Sequence, residues 1–308
     1  MASDRAIGSQ VQASARQAIR KEHFEIPDLR MLPTESLVLH EHADSKRVAR
    51  LVARLQGDGL LKNPPIIAPI PGTDRYVVLD GANRVSALRS MGSPHVLAQV
   101  VDYKSDDVQL YTWYHLIVGR TPATFLDEIR RVEGITVLDA PLEVARAALA
   151  DKQVLAYLVV PHERDGTGVY LLDGVPGTDH HGTETSTALL NATVDTYKGD
   201  PQVTIHRVST DNLDELVEYY DHVSGLVVFP EYTPDDILKL ATTGMVVPTG
   251  ITRHIISPRA LRVNMPIAIL MSPDPLEHKT AWWHDQLKRK LAANEMRLYQ
   301  EATYLFDE

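Results

Sequence analysis

Apolar residues in the first third of the chain switch between the spacing of helices and that of strands. In residues 45–61 they recur every three or four positions, which predicts an amphipathic helix that stops at Gly57-Asp58-Gly59. Short apolar runs predict strands over residues 31–40, 63–70, 76–80 and 95–103. Helical spacing returns at 83–91 and again at 108–119. The resulting β–α–β–β–α–β–α order describes a compact mixed module.

The pattern changes after Thr124, where a second mixed region begins. Helices are predicted over residues 125–132, 142–152, 185–199, 211–222, 233–244 and 276–304. Strands are predicted over residues 153–161, 168–174, 202–208 and 225–232, the first two as an antiparallel pair. Trp282, Trp283 and Leu287 of the last helix are expected to pack rather than to react. We therefore expect an α/β (α+β) fold with an N-terminal arm or helix (1–26), a first module (27–123) and a closely packed second α/β domain (124–308).

Composition narrows the class of protein. Hydrophobic residues make up 44% and charged residues 23% of the 308 residues, as in ordinary globular proteins. A net charge of −10 argues against a protein that covers a nucleic acid backbone, so no nucleic acid partner is expected. The chain has no cysteine, which excludes disulfides, thiolate metal sites and a cysteine nucleophile. Because no apolar run of transmembrane length and no leader is evident, we expect a cytoplasmic protein without a membrane partner.

One segment, YVVLDGANRVSALRSMG at residues 76–92, indicates a particular chemistry. A strand ends at Asp80-Gly81 and a helix starts near Asn83. Glycine lets the chain turn sharply, so the first N–H groups of the helix point outward at the positive end of its dipole. Arg84 adds a planar fork of donors that suits phosphate. The segment is therefore a candidate anion site, although most turns of this kind only connect two elements.

The runs PTESLVLHE, GLLKNPPII and VVLDGANRVSALRSMG together resemble the ParB/sulfiredoxin-like superfamily over about residues 30 to 120. In that superfamily the phosphates of a nucleotide sit on the glycine-to-helix turn. Sulfiredoxins carry a catalytic cysteine where this chain has Ala82, so their chemistry is impossible here. Chromosome-partition ParB proteins add a basic helix-turn-helix domain and a second arginine in the turn, whereas this turn has Arg84 alone.

A third branch of the superfamily, the free L-serine kinases, resembles both halves of the chain. The shared motifs are His40-Glu41, Leu79-Asp80-Gly81, Thr112-Trp113, the run Gly250-Ile251-Thr252-Arg253-His254, Arg259, and Val263-Asn264-Met265-Pro266. The resemblance implies a kinase that converts free L-serine to O-phospho-L-serine with ATP or ADP and Mg²⁺. The alternative is a ParB-like, nucleotide-dependent DNA-binding or regulatory protein. Residues 165–199 match neither branch, and the choice between ATP and ADP stays open, as does the oligomeric state.

The resemblance also implies roles for individual residues. Glu41 is the expected catalytic base, and Asp80 is expected to hold Mg²⁺ or to contact the acceptor. The expected nucleotide-binding residues are Gly81, Ala82, Asn83 and Arg84 at the phosphates, with Asn63 and Pro64 at the adenine. The expected serine-binding residues are Trp113, Thr252, Arg253, His254 and Arg259. His180 and His181 invite a metal interpretation, but adjacent side chains in an extended loop diverge and no third ligand is evident, so we interpret them as loop residues.

Overall fold

The computed structural model describes residues 26–162, 166–175 and 183–299. Two sheets of five and six strands and two further two-stranded sheets carry the fold, which confirms the predicted α/β class. Of the predicted N-terminal arm, only Ile26 belongs to the described residues. His180 and His181 lie outside the described residues. Within the described ranges, no helix has both the length and the apolar composition that crossing a bilayer requires.

The first module contributes six strands and two helices. The strands are β1 (Leu29–Pro33), β2 (Leu37–Leu39), β3 (Leu60–Leu61), β4 (Ile66–Pro69), β5 (Tyr76–Asp80) and β6 (His95–Val100). All except β3 form the five-stranded sheet, in the order β1-β6-β4-β5-β2. The helices α1 (Ser45–Asp58) and α2 (Ala82–Ser90) confirm the helical spacing at 45–61 and 83–91. Asp44 caps α1 by accepting the N–H of Arg47 at 2.9 Å, and Gly59 ends it with a φ of 66°.

The second half of the fold starts earlier than the predicted division, at Val108, and its described residues contain nine strands. They are β7 (Val108–Thr112), β8 (Tyr114–Val118), β9 (Ile135–Asp139), β10 (Ala156–Pro161), β11 (Thr167–Gly174), β12 (Thr204–Val208), β13 (Val223–Val228), β14 (Thr252–Ile256) and β15 (Met265–Pro266). The six-stranded sheet has the order β12-β8-β13-β10-β11-β9. The predicted antiparallel pair is confirmed as β10 and β11. β7 pairs with β14, and β15 pairs with β3 of the first module.

The helix predicted over 108–119 is wrong, because this segment forms β7 and β8. The backbone groups of β7 bond to β14, about 140 residues later in the chain, from Thr112 opposite Thr252 to Val108 opposite Ile256. β8 lies between β12 and β13 in the six-stranded sheet. The apolar positions therefore face two different sheets, and their spacing only imitates one helical face. Hydrogen-bond partners distant in sequence decide this segment against its local pattern.

Helices of the second half pack on both faces of the six-stranded sheet. They are α3 (Pro122–Arg130), α4 (Leu142–Ala150), α5 (Thr183–Asp195), α6 (Leu213–Leu216) and α7 (Pro234–Thr243). Two further helices, α8 (Ile267–Met271) and α9 (Leu276–Ala292), pack against the first module instead. The helix predicted over 211–222 is correct only for the single turn of α6. α3 and α4 are separated by β9, an edge strand of the sheet, so they do not form a helix-turn-helix. The capped helix predicted at Thr233 is confirmed by a complete capping box.

The five-stranded sheet is buried on both faces. Val77 and Leu79 of β5 belong to a core shared with the six-stranded sheet, whereas Val78 belongs to the core beneath α1 and α2. This alternation follows from the two-residue period of a strand. Because the first core includes residues of both halves, the two halves pack on each other directly.

The C-terminal segment returns to the first module. β15 pairs with β3, and α9 lies against β1, where the indole N–H of Trp283 donates to the Leu29 carbonyl oxygen at 3.2 Å. Trp283 is only 2% exposed, so its predicted packing role is confirmed. α9 ends at Ala292, so the helix predicted over 276–304 is too long for the described residues. The sequence division at residue 124 assigns α9 to the second domain, but its packing partners lie in the first.

His115 of β8 makes the stability of this fold sensitive to acid. Its side chain is 1% exposed and its Nδ1 lies 3.0 Å from the hydroxyl of Tyr197. Burial lowers the pKa of His115 from 6.5 to about 3. At a pH below 6.5, the ordinary pKa of histidine, the unfolded chain binds a proton at His115 that the folded chain does not bind. The free energy of unfolding therefore falls as the pH drops from about 6.5 towards 3.

We expect His115→Leu to reduce this dependence on pH. The slope of the free energy of unfolding against pH, measured by urea denaturation between about pH 5 and about pH 7, falls by up to ~1.4 kcal/mol per pH unit. The control is His278→Leu, because His278 is exposed on α9. Equal slopes for the parent chain and His115→Leu would contradict the assignment.

Candidate active site

A cleft lies where the end of β5 and the start of α2 face β12 and β14 of the second half. Its lining includes His40, Glu41, Asp80 and the first turn of α2 on one side, and Trp113, Arg207 and residues 252–254 on the other. The three sequence segments that the resemblance marked, around residues 41, 81 and 252, thus lie around one space.

The turn at Gly81 has the shape of an anion site. Gly81 has a φ of 99°, in the left-handed region that favours glycine. A Cβ there would lie 3.0 Å from the Cβ of Pro65 and 3.1 Å from the Nε of Arg84. Ala82 and Asn83 are the first residues of α2 and line the cleft. Their N–H groups therefore lie at the positive end of the helix dipole. The side chain of Asn83 is engaged elsewhere, since its Oδ1 accepts the N–H of Asp44 at 2.8 Å.

Asp80 is held between two arginines. Its Oδ2 accepts from the guanidinium of Arg84 at 3.0 Å and from that of Arg259. Burial raises the pKa of Asp80, but the two positive charges outweigh it, so the pKa lies below its ordinary value. Arg84 also donates to the carbonyl oxygens of Asn63 at 2.8 Å and Pro64 at 2.9 Å. Asn63 lines the cleft, whereas Pro64 is buried beneath it and contributes its carbonyl group to Arg84.

Glu41 is positioned by backbone pairing with the second half of the chain. The N–H of Val247 donates to the His40 carbonyl oxygen at 2.8 Å, and the N–H of His42 donates to the Val247 carbonyl oxygen at 3.0 Å. The carboxylate of Glu41 then meets Thr252, whose hydroxyl lies 2.6 Å and whose N–H lies 3.3 Å from Oε2. The residue is neither fully exposed nor buried, so its carboxylate can reach a bound molecule.

Trp113 and Arg253 form the opposite wall. Trp113 follows β7, not a helix as predicted, and its N–H donates to the Ile251 carbonyl oxygen at 2.8 Å. The guanidinium carbon of Arg253 lies 4.2 Å from the centre of the Trp113 ring, in cation–π contact. Nε2 of His254 is hydrogen-bonded to the Tyr103 hydroxyl at 2.8 Å. Burial lowers the pKa of His254 to about 3, so its ring is neutral near pH 7.

The sequence analysis missed several residues of this cleft. Arg47, Leu51 and Arg54 lie at intervals of four and three residues on α1, so their shared helical face was a signal in the sequence. Arg207 of β12 gave no local signal. His40 appeared only within the His40-Glu41 motif, yet it is 3% exposed and lies 3.0 Å from the Thr252 hydroxyl.

Positive charge concentrates in this cleft although the chain is acidic. The basic lining residues are Arg47, Arg54, Lys62, Arg84, Arg207, Arg253 and Arg259, and the acidic ones are Glu41, Asp58 and Asp80. A chain with a net charge of −10 therefore presents an excess of cationic groups at one place. Such a field attracts a polyanionic ligand of small size.

Curated relatives align with both halves of this chain. An ATP-dependent L-serine kinase of Staphylothermus marinus is 35% identical over 107 residues, which is 35% of this chain and 42% of that protein. An ADP-dependent L-serine kinase of Thermococcus kodakarensis is 22% identical over 76% of this chain and 90% of its own length. An ATP-dependent L-serine kinase of Staphylococcus aureus is 23% identical over 91% of this chain and 97% of its own length. No protein-family model matches the chain.

A solved structure shares the fold. A point mutant of a free serine kinase in complex with AMP superposes with a TM-score of 0.67 at 19% identity, over 80% of this chain and 98% of that one. The chain is a relative of the free L-serine kinases, as the sequence predicted. At this level of identity the superposition establishes the fold, and the assignment of roles to residues of this chain depends on the geometry of its own cleft.

Gly81→Ala is expected to weaken nucleotide binding. The new Cβ would occupy a left-handed conformation and press on Pro65 and Arg84, so the turn and the arginine must shift. We expect the dissociation constant for ADP, measured by calorimetry, to rise about tenfold, since a strain of about 1–2 kcal/mol falls on the binding conformation.

Gly92→Ala is the matched control for this substitution. Gly92 follows α2 with a φ of 75° and has no atom within 4 Å of an added Cβ. Gly92→Ala introduces the same conformational strain outside the cleft. We therefore expect the free energy of unfolding to fall while the affinity for ADP stays within about twofold of that of the parent chain. Equal losses of affinity in both variants would refute a direct role of the Gly81 turn.

Proposed function

We propose that this chain phosphorylates the hydroxyl group of free L-serine to form O-phospho-L-serine, with ATP or ADP as the donor. The observation that carries the proposal is the placement of the Glu41 carboxylate beside Thr252 in the same cleft as the Gly81 turn. Phosphoryl transfer requires an anion site, a group that orients the attacking hydroxyl and a clamp on the acceptor. The cleft offers candidates for all three, and the names of its relatives agree with this reaction.

The donor phosphates are proposed to bind at the start of α2. The N–H groups of Ala82 and Asn83, at the positive end of the helix, suit phosphate oxygens. Arg84 and Arg259 bind Asp80 beside them and add positive charge to the same place. Leu51 and Leu60 line the cleft farther along, next to Asn63, and offer apolar contact to an adenine ring. Both ATP and ADP fit this description.

Asp80 is the proposed ligand of Mg²⁺ from this chain. Both arginines bind its Oδ2, so Oδ1 is the oxygen that can approach a cation. Mg²⁺ at nucleotide sites is held by one or two carboxylates together with phosphates and water. Among the described residues, no group of three or more His, Asp or Glu side chains could hold a metal alone, so the ion fits only with nucleotide. When bound, Mg²⁺ neutralises charge on the phosphates.

Glu41 is the proposed catalytic base. A loose, metaphosphate-like transition state needs little activation of the attacking oxygen, so the first task of Glu41 is to align the serine hydroxyl with the terminal phosphorus. Its second task is to accept the hydroxyl proton as the O–P bond forms. Trp113 and Arg253 cover the acceptor side and exclude water, which limits hydrolysis of the donor.

Arg207 is our candidate for the α-carboxylate of serine, together with the predicted Arg253. The other predicted ligands are already engaged, Thr252 with Glu41 and His254 with Tyr103. Within the described residues the side chain of Arg207 has no hydrogen-bond partner, and its guanidinium packs against Gly250, where a Cβ would overlap it. Glu41 and Asp44 are the acids close enough to act on its charge. Its guanidinium therefore lines the same cleft as the Glu41 carboxylate, with donors that can bind an anion.

Glu41→Gln tests the central role. The amide keeps the size of the side chain but cannot accept the proton, so phosphoserine formation falls at least ~100-fold while the dissociation constant for ADP changes less than about threefold. Mass spectrometry of the product and calorimetry of ADP binding measure the two quantities. Glu35→Gln, at an exposed carboxylate outside the cleft, is the control. Undiminished turnover in Glu41→Gln would remove Glu41 from this role.

Arg207→Met tests the carboxylate clamp. A charged hydrogen bond to the acceptor is lost, so the KM for serine rises about tenfold or more while ADP affinity is retained. Steady-state kinetics with varied serine and calorimetry with ADP separate the two effects. Arg50→Met, at an exposed arginine of α1 that does not line the cleft, is the control. A loss of ADP affinity instead would assign Arg207 to the phosphates.

A further inference from the structure

We propose that His40 is a positioning residue for catalysis, which acts on Glu41 through the hydroxyl of Thr252. Glu41, Thr252 and His40 form one hydrogen-bonded array that is fully satisfied only after Glu41 has accepted a proton. The inference rests on the proposed function, since it explains why a carboxylate at this place serves as the base. Among the described residues, no carboxylate other than Glu41 and no lysine bonds to these side chains, so the proton count of the array follows from the three residues.

The tautomer of His40 follows from its contacts. Nδ1 lies 2.7 Å from the carbonyl oxygen of Val78, which can only accept, so Nδ1 carries a hydrogen. The ring is buried, and this burial lowers the pKa of His40, so the ring is neutral near pH 7. Nε2 is then an acceptor, and it faces the Thr252 hydroxyl at 3.0 Å.

Thr252 therefore has one proton for two acceptors. Its hydroxyl oxygen lies 2.6 Å from Oε2 of Glu41 and 3.0 Å from Nε2 of His40. With Glu41 ionised, the hydroxyl donates to one of them, and the other contact brings two lone pairs together. The N–H of Thr252, 3.3 Å from the same Oε2, supports the carboxylate but gives nothing to His40.

Protonation of Glu41 completes the array. In the reaction the O–H bond of serine breaks, an O–H bond forms on the Glu41 carboxyl group, and the serine oxygen bonds to the terminal phosphorus. The bond from that phosphorus to the bridging oxygen breaks at the same time, so ADP leaves when ATP is the donor and AMP leaves when ADP is the donor. The new O–H on Oε2 donates to the Thr252 oxygen, and the Thr252 hydroxyl turns to Nε2 of His40. Every donor then has an acceptor. His40 thus stabilises the state in which Glu41 holds the proton, which makes Glu41 a stronger base.

Other charged groups surround the array and are shared by all variants below. Arg207 of β12 and His42, the next residue of the turn, act on the charge of Glu41. The ring of His254 on β14 lies 5.5 Å from that of His40, with Tyr103 and Asp80 beyond it. Because none of these groups changes in the variants, a difference between variants reports on the array alone.

The test is His40→Asn, read through the pH dependence of turnover. The asparagine amide can still donate to the Val78 carbonyl oxygen, but no atom remains at the position of Nε2. The Thr252 hydroxyl then donates to Glu41 permanently and favours the ionised carboxylate. We expect kcat for phosphoserine formation to fall about tenfold and the acidic limb of its pH profile to move about one pH unit lower. A purely structural role would lower kcat without moving the limb.

Two further variants separate the array from general damage. Thr252→Val removes the hydroxyl that joins Glu41 to His40, so adding His40→Asn to this variant does not move the acidic limb of the pH profile further. Thr252→Ser keeps the hydroxyl, so it retains most of the activity and an acidic limb close to that of the parent chain. Thr112→Val is the matched control, because Thr112 lies opposite Thr252 in the β7–β14 pair and its hydroxyl donates to the Pro230 carbonyl oxygen at 3.1 Å. Its acidic limb stays where the parent has it.

A second measurement does not depend on activity. Infrared difference spectroscopy follows protonation of the Glu41 carboxyl group, identified as the band that Glu41→Gln removes, and its midpoint moves about one pH unit lower in His40→Asn. An unmoved midpoint in a variant that still binds ADP overturns the array. If the parent chain makes no phosphoserine, the proposed function fails, and the infrared midpoint alone decides the array.

Discussion

The pairing of the turn at residues 40–42 with the segment at 247–252 is the interaction on which the cleft depends. Two backbone hydrogen bonds join His40 and His42 to Val247, and Glu41 bonds to Thr252 a few residues later. These residues are more than 200 positions apart in the chain. Without this pairing the Gly81 turn would keep its shape, but Glu41 and the wall formed by Trp113 and Arg253 would have no fixed distance from it.

Burial of the first sheet on both faces keeps that pairing in place. Val78 of β5 packs beneath α1 and α2, while Val77 and Leu79 pack towards the second half. The strand that ends at Asp80 is thus held from two sides, and its last residues can face the cleft without moving. A shared core fixes the side chains of the two halves relative to one another, and phosphoryl transfer depends on such positioning of the reacting groups.

Ion pairs and burial set the charge states of the titratable side chains in the cleft. Asp80 is held ionised between Arg84 and Arg259, and the two arginines are in turn oriented by it. His40 and His254 are both present without charge, because burial lowers the pKa of each ring. The positive charge of the cleft therefore comes from its arginines and lysine and not from these histidines.

The sequence by itself determined the elements whose causes are local. The capped helix α1, the glycine turn before α2 and the capping box of α7 follow from neighbouring residues, and so does the candidate phosphate site at Gly81. The motif around residues 250–254 indicated the second wall of the cleft only through its resemblance to known kinases. Periodicity failed at residues 108–119, because the strands there take their hydrogen bonds from partners about 140 residues away and their apolar positions serve two sheets.

Only the tertiary structure decided which side chains meet. Arg207 comes from a strand with no unusual feature, and it reaches the cleft because Gly250 leaves the space. His40 contacts Thr252 because strand pairing brings the Thr252 hydroxyl to its Nε2. α9 returns to the first sheet because Trp283 finds a buried place against β1. Each of these contacts depends on distances between residues far apart in sequence, and a local pattern carries no record of such distances.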